Sequence, residues 1–211
     1  GSGKSTVAQL MLRMYDTTNG TISYDKKDIK NLRIQNFRSQ ISYVPQDVFL
    51  FSDSITNNIK FGKADATTNE VKTAAEQACI YNEILLFAHG METLVGERGV
   101  TLSGGQKQRI SIARAMVKKP SLVIFDDCLS AVDARTEKQI IANLYEYLQD
   151  KTAVIITHRI FSLLNFDKII VMDEGKIAEQ GTHEQLLKLK GIYAEMFLRQ
   201  QHNDHPEEQM I

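Results

Sequence analysis

The sequence begins Gly1-Ser2-Gly3-Lys4-Ser5-Thr6, a run of small residues around one lysine. Its second half matches the end of the phosphate-binding pattern G-x-x-x-x-G-K-[ST], whose first glycine would stand before residue 1. Small residues before a helix let backbone N–H groups point at phosphate oxygens, while the lysine reaches the terminal phosphates and the serine hydroxyl binds Mg²⁺. We therefore expect these residues to bind a nucleotide. For the hexamer alone, a Gly/Ser linker followed by a helix cap is the alternative.

Composition limits the class of protein. The chain has 211 residues, enough for one sizeable domain with an attached lobe. Its net charge of −1 argues against a general nucleic-acid surface, so no nucleic-acid partner is expected. No apolar run approaches the roughly 20 residues that cross a bilayer. The two cysteines, Cys79 and Cys128, lack metal-ligand spacing and are expected to be reduced core thiols.

Apolar periodicity predicts alternating helices and strands. Val7, Leu10, Met11 and Met14 fall on one face of a helix after the loop, and Thr67-x-x-Glu70 is a capping box that opens another helix. Strands are predicted at residues 21–24, 41–44, 122–125, 153–156 and 169–172, the last three as buried strands. The fold class is therefore α/β with a mainly parallel sheet.

Asp126 follows the buried apolar run that begins at Leu122. A carboxylate at the end of a buried strand is a suitable second ligand for the Mg²⁺ of a bound nucleotide. A local role, in which Asp126 only caps the following turn, is the alternative. The loop and this aspartate together favour a nucleotide site more than either does alone.

The stretch LSGGQ at residues 102–106, followed by KQRISIARA, resembles the signature of ATP-binding-cassette (ABC) ATPases. The other family motifs follow in family order over nearly the whole chain: YVPQ (43–46, Q-loop), LVIFD (122–126, Walker B), SAVD (130–133, D-loop) and TH (157–158, switch histidine). The resemblance implies a P-loop NTPase fold, a RecA-like parallel sheet flanked by helices. It also implies an inserted helical subdomain at about residues 54–118.

The family mechanism implies roles for these residues. Two cassettes sandwich two Mg-ATP, so the loop of one subunit faces the signature of the other, which contributes Ser103, Gly104, Gly105, Gln106 and Asp133 in trans. Glycines allow close backbone approach to the γ-phosphate. Each assignment has a local alternative: Ser103 to Gly105 form an ordinary turn that begins a helix, and Asp133 caps its own helix.

The Q-loop and the switch histidine have implied roles of the same kind. Gln46 contacts Mg²⁺ or the attacking water, and His158 hydrogen-bonds the γ-phosphate and that water. The local alternatives are a polar residue after a proline turn for Gln46 and a helix cap for His158. In the family the metal ligands therefore correspond to Ser5, Gln46 and Asp126.

The stretch TLVGERG at residues 93–99 resembles the x-loop of ABC exporters, which touches the membrane domain. A solvated Glu-Arg turn is the alternative. The resemblance implies a fused membrane domain outside this chain and a place on the cytoplasmic face of the plasma or inner membrane. Competing functions are a soluble ABC-family ATPase and a regulatory cassette that binds ATP without hydrolysing it.

Asp127 stands where the family usually has glutamate, the residue that polarises the attacking water. One methylene fewer draws the carboxylate back by about 1.5 Å. Since a base must come within about 3 Å of its proton, we expect the site on this subunit's own loop to hydrolyse slowly. This favours a heterodimer whose partner site does most of the turnover; a homodimer with a weak base is the alternative.

The family's cassettes carry strands and an adenine-stacking aromatic residue before the loop, and the sequence shows neither. A buried strand with four apolar side chains contributes about 6–12 kcal/mol, which is comparable to the ~5–15 kcal/mol stability of a typical domain. We therefore expect residues 1–211 to be an N-terminally truncated cassette that folds poorly and is inactive by itself.

Overall fold

The computed structural model of the protein describes residues 2–96, 99–160 and 165–204. Gly1 of the loop and the Glu97-Arg98 pair of the predicted x-loop lie outside these ranges. The described strands are β1 (Ser23–Tyr24), β2 (Lys27–Asp28), β3 (Ile41–Val44), β4 (Leu122–Asp126), β5 (Thr152–Ile156), β6 (Ile169–Asp173) and β7 (Lys176–Gly181).

The described α-helices alternate with these strands, with short 3₁₀ helices at Ile29–Asn31 and Gly90–Glu92. They are α1 (Lys4–Met11), α2 (Ile34–Ser39), α3 (Ile55–Lys60), α4 (Thr68–Gln77), α5 (Tyr81–Ile84), α6 (Gly104–Val117), α7 (Ala134–Leu148), α8 (His183–Leu189) and α9 (Ile192–Asp204). Within the described ranges, every helix is too short or too polar to cross a membrane.

Three parallel strands form the central sheet in the order β3-β4-β5. Ile41 pairs with Leu122, and Leu122 pairs in turn with Thr152. The carboxyl ends of the three strands therefore lie at the same edge of the sheet. Every residue of β4 is buried, as expected for the middle strand of a parallel sheet. The predicted parallel α/β class is therefore confirmed.

Two predicted strands differ in their burial. β5 and β6 form where apolar runs predicted them, but their residues are partly or fully exposed rather than buried on both faces. Among the described residues, β5 has a strand partner on one side only, and β6 pairs with β7 in an antiparallel hairpin. An apolar run predicts a strand, whereas its burial depends on which elements cover it.

The first helix is shorter than its apolar pattern predicts. α1 ends at Met11, Arg13 adopts a left-handed φ of 52°, and Met14 is exposed outside the helix. The Arg13 guanidinium donates to the carbonyl oxygens of Ile29 and Leu32, at 3.0 Å each, just beyond the end of the helix. The helix and its positions Val7, Leu10 and Met11 are thus confirmed, whereas the prediction was wrong for Met14.

The chain divides into two compact units, residues 10–156 and residues 1–9 with 157–211. In the larger unit, buried side chains come from the sheet and from helices α3 to α7, among them Val44, Ile55, Ile59, Ile84, Ile110, Ile124, Phe125 and Ile140. In the smaller unit, Leu186 and Tyr193 are buried, and the Tyr193 hydroxyl lies 2.7 Å from His183 Nδ1.

Helix α6 organises the larger unit, because it packs against α3, α4 and β3. Its buried face includes Arg109, whose guanidinium donates to both carboxylate oxygens of Glu83 and to the carbonyl oxygen of Cys79. These bonds attach the segment around α5 to the first turns of α6. They also hold the pKa of the Glu83 carboxyl below its usual value, since the positive guanidinium favours the carboxylate.

We predict that Arg109→Met destabilises α5 by about 2 kcal/mol, the usual worth of hydrogen bonds to charged groups. Hydrogen exchange at the α5 amides in the full-length protein measures this effect. Arg199→Met is the matched control, because Arg199 pairs with Glu195 at 3.6 Å on an exposed helix face where such pairs contribute ~0–1 kcal/mol. Equal effects of the two substitutions would contradict the prediction.

Candidate functional site

The described part of the loop, Ser2 to Thr6, leads directly into α1. Gly3 has a φ of +89°, a left-handed conformation that glycine adopts without strain. Lys4 Nζ donates to Ser2 Oγ at 2.7 Å, and the hydroxyl-bearing residues Ser5 and Thr6 lie in the exposed first turn. The loop therefore combines a helix N-terminus with a lysine, the elements that bind phosphate.

Asp126 ends β4 and is only 3% exposed. The Tyr43 hydroxyl on the neighbouring strand β3 donates to Asp126 Oδ2 at 3.1 Å. Burial, together with the negative charge of Asp126 and the hydrogen bond to it, raises the pKa of Tyr43 to about 12. Tyr43 is thus a neutral donor at any physiological pH, and it fixes the orientation of the carboxylate. Sequence reasoning placed Tyr43 in the Q-loop motif but missed this bond.

Asp127 is half-buried and has a left-handed φ of 47°. Its N–H donates to the carbonyl oxygen of Ile156 at 2.8 Å, and its carbonyl oxygen accepts from Ser130 Oγ at 3.1 Å. Both peptide groups of this residue are thus hydrogen-bonded, so its position is set by the end of β5 and by the turn that follows β4. We call residues 127–133 the post-β4 turn.

Ser103 is the N-cap of α6 and forms a capping box with Gln106. Ser103 Oγ accepts from the Gln106 N–H at 3.2 Å, and Gln106 Oε1 accepts from the Ser103 N–H at 3.0 Å. Gln106 Nε2 also donates to Glu83 Oε2 at 3.2 Å. The local alternative for this segment, a turn that begins a helix, is therefore present in the structure. Gly104 stands exposed at the helix start.

The remaining predicted residues lie at strand and helix ends. Asp133 caps α7 through Oδ1, which accepts from the Thr136 N–H at 3.0 Å, and these bonds hold the pKa of Asp133 below its usual value. Gln46 follows β3, and His158 follows β5; both are exposed. Ser2 to Thr6 and His158 belong to the smaller unit, whereas the other described site residues belong to the larger one.

The signature segment and the post-β4 turn are in close contact, which sequence reasoning did not anticipate. A Cβ on Gly105 would lie 2.8 Å from the carbonyl oxygen of Ala131, and one on Gly104 would lie 3.3 Å from Ala131 Cβ. Gln108, buried on α6, bonds to the same turn through Ser130 and Ala131. No sequence signal marked this contact, since Gln108 stands between Lys107 and Arg109.

The different contacts of Gly104 and Gly105 with Ala131 predict different changes in stability when each glycine is replaced by alanine. Gly105→Ala pushes a methyl against a backbone carbonyl, and we expect it to destabilise the protein by about 1–3 kcal/mol despite alanine's better helix propensity. Gly104→Ala is the matched control, because its methyl meets only a side-chain methyl on an exposed residue. The measurement is the thermal unfolding midpoint of each full-length variant, and equal midpoints would be inconsistent with the packing.

Comparison with known proteins identifies the family of this chain. A family model described as ABC transporter matches residues 1–130. ATP-binding cassette sub-family B member 6 of Xenopus tropicalis is 46% identical over 201 residues, which are 95% of this chain and 24% of that protein. The probable multidrug resistance ABC transporter ATP-binding/permease protein YheI of Bacillus subtilis is 48% identical over 201 residues, 95% of this chain and 34% of that protein.

A solved structure of a bacterial Atm1-family ABC exporter with ATP bound is similar to this chain, with a TM-score of 0.89 and 43% identity. The match covers 94% of this chain and 35% of that one. The chain thus spans about a third or less of the length of these relatives. By sequence and by structure, the chain belongs to the ABC transporter family, and its fold is the P-loop NTPase cassette found in Atm1-type exporters.

Proposed function

We propose that this chain is the ATP-hydrolysing cassette of a membrane exporter and couples ATP binding and hydrolysis to transport. The observation that supports this most is the contact between the signature segment, Ser103 to Gln106, and the post-β4 turn that begins with Asp127. A helix N-terminus that receives phosphate and a carboxylate that activates water are thereby joined in one packed unit. The names of the relatives, which describe transporters, point to the same function.

In this proposal, Ser2 to Thr6 bind the triphosphate through backbone amides, with Lys4 on the terminal phosphates; Gly1 completes the loop. The Mg²⁺ ligands are Ser5, Gln46 and Asp126, whose hydroxyl, amide and carboxylate oxygens are donors that Mg²⁺ accepts. The bond from Tyr43 to Asp126 Oδ2 supports this choice, since it fixes the orientation of the buried carboxylate. When bound, the ion neutralises charge on the phosphate oxygens.

A second cassette completes the site. We propose that Gly104 and Gly105 present backbone N–H groups to the γ-phosphate bound by the partner, aided by the positive end of α6. Ser103 contributes its hydroxyl, because its N–H donates to Gln106 Oε1. Gln106 and Asp133 contribute to the same interface. Within this chain, Gln106 and Asp133 also cap the starts of α6 and α7. These caps stabilise the helix starts that lie at the proposed interface, so the two roles are compatible.

For hydrolysis, water attacks the γ-phosphorus, the bond to the ADP oxygen breaks, and a proton leaves the water. We propose that Asp127 accepts this proton while His158 and Gln46 orient the water and the phosphate. The short aspartate makes this site slow, which favours a heterodimer whose partner site turns over faster; the homodimer is the alternative. Because Asp127 replaces the glutamate that is usual in the family, a regulatory cassette that binds ATP without hydrolysing it is the second candidate function.

We predict that Asp127→Glu raises turnover in the full-length transporter by about 10- to 100-fold, since positioning errors near 1 Å cost up to ~10²-fold. Phosphate release in membranes or nanodiscs measures it. Asp150→Glu, at an exposed position, is the matched control and is expected to change nothing. An unchanged rate for Asp127→Glu counts against the slow-site proposal, and a wild-type enzyme that binds ATP without any hydrolysis favours the regulatory candidate.

We propose that the cassette meets its membrane domain through an aromatic surface, defined as Phe49, Phe51 and Phe61. Phe49 and Phe61 are each 66% exposed, and the ring centroids lie 5.1 Å (Phe49 to Phe51) and 4.5 Å (Phe51 to Phe61) apart. Exposed aromatic clusters of this kind mark partner sites. The membrane domain is the proposed occupant, because the predicted x-loop lies beside this surface.

The neighbouring x-loop supports this assignment. The Val95 N–H donates to the carbonyl oxygen of Asp53, and Gly96 packs so closely on Ser52 that a Cβ would lie 2.6 Å from its hydroxyl. The segment after Gln46 and the described part of the x-loop therefore form one continuous surface. We place the assembled protein at the cytoplasmic face of the plasma or inner membrane.

We predict that residues 49–61 exchange amide hydrogens slowly in the full-length transporter and that Phe61→Asp speeds this exchange about tenfold or more. Burying one large apolar side chain is worth roughly 1.5–3 kcal/mol, and 1.4 kcal/mol is a factor of ten. Tyr145→Asp is the matched control, since it places the same charge on an exposed aromatic position of α7. Fast exchange at residues 49–61 in the unaltered transporter would falsify this docking site.

A further inference from the structure

Gln108 is buried on α6, with 5% of its surface exposed, and both ends of its carboxamide bond to the post-β4 turn. Nε2 donates to Ser130 Oγ at 3.3 Å, and Oε1 accepts from the Ala131 N–H at 3.1 Å. A buried amide with donor and acceptor both satisfied defines the relative position of the two segments that it joins.

Ser130 continues this connection toward Asp127. The Ser130 hydroxyl accepts from Gln108 and donates to the carbonyl oxygen of Asp127 at 3.1 Å. Asp127 is held on its other side by its N–H bond to Ile156 at 2.8 Å. Gln108 is thereby connected to the main-chain carbonyl of Asp127 through a single hydroxyl group.

The first turn of α6 and the post-β4 turn are also in direct backbone contact. A Cβ on Gly105 would lie 2.8 Å from the Ala131 carbonyl oxygen, so the helix backbone and the turn already touch. Gln108 lies one turn further along the same helix and pulls on the same turn through hydrogen bonds. Because α6 is continuous from Gly104 to Val117, movement of its N-terminus is transmitted to Gln108.

We propose that Gln108 is a positioning residue for Asp127 that acts through Ser130. This inference rests on the proposed function, in which Asp127 serves the nucleotide on Lys4. The Gln108–Ser130 bond and the Ser130–Asp127 bond fix the main chain of Asp127, and they thereby hold its carboxylate in place as the base.

The test uses the full-length transporter assembled with its partner, in which the partner's own nucleotide site is inactivated, so that turnover reports the site with Lys4 and Asp127. Gln108→Met keeps the side-chain length but removes both hydrogen bonds, and Ser130→Ala breaks the next bond. We expect each to lower kcat about tenfold, with KM for ATP changed less than about twofold, because misplacing a base impairs chemistry rather than ground-state binding.

The double substitution Gln108→Met with Ser130→Ala tests whether the two residues act in series. If they do, the double variant loses little more kcat than either single variant, because one substitution already breaks the hydrogen-bonded connection to Asp127. Ser130→Thr keeps the hydroxyl and is expected to retain most of kcat. Ser42→Ala is the matched control: it removes another buried bond to α6, from Ser42 Oγ to the Ala115 carbonyl oxygen at 2.9 Å, and is expected to leave kcat unchanged.

Independent, multiplicative losses in the double variant would overturn this positioning role, as would a raised KM with unchanged kcat. If Gln108→Met does not assemble, Ser130→Ala alone decides, since an unchanged kcat for this exposed residue also overturns it. Lys4→Ala tests the premise separately: residual turnover that survives Lys4→Ala contradicts the proposed nucleotide site itself, whereas its loss supports that site and leaves the other variants to decide the positioning role.

Discussion

The first turn of α6 rests on the turn that follows β4, and this contact constrains the rest of the structure. Gly105 lies against the Ala131 carbonyl oxygen with no room for a side chain, so the signature segment and the strand that ends at Asp126 hold a fixed distance. Glycine is needed here for two physical reasons. It permits the packing within this chain, and it leaves backbone N–H groups accessible for phosphate.

Helix α6 connects three surfaces of the larger unit. Its N-terminus carries the signature residues, Gln108 bonds the post-β4 turn, and Arg114 bonds the carbonyl oxygens of Phe49 and Asn58 at 3.0 and 2.8 Å. The aromatic surface and the signature segment are thus attached to opposite ends of one rigid element. A motion imposed at either end would therefore be transmitted along the helix.

Much of the fold was predictable because its signals are local. The apolar run of β4, the capping box at Thr67 and the cap at Asp133 depend on neighbouring residues, and the structure confirms them. The bond from Tyr43 to Asp126 was not predictable, since it depends on the register of two strands distant in sequence. The burial of β5 and the end of α1 at Met11 also depend on tertiary neighbours that periodicity does not identify. Gln108 stands between Lys107 and Arg109, so the sequence did not mark it as a buried contact.

The central claim is that the two glycine-rich segments of this chain bind different nucleotides. It is tested most directly by an ATP analogue with a photoreactive γ-phosphate, cross-linked in the closed full-length transporter and mapped by mass spectrometry. In a dimer of one Lys4→Ala chain and one unaltered partner, we expect the altered chain to be labelled at residues 103–106 but not at residues 2–6. Loss of both labels together, or no label at residues 103–106 in the unaltered dimer, would contradict the account.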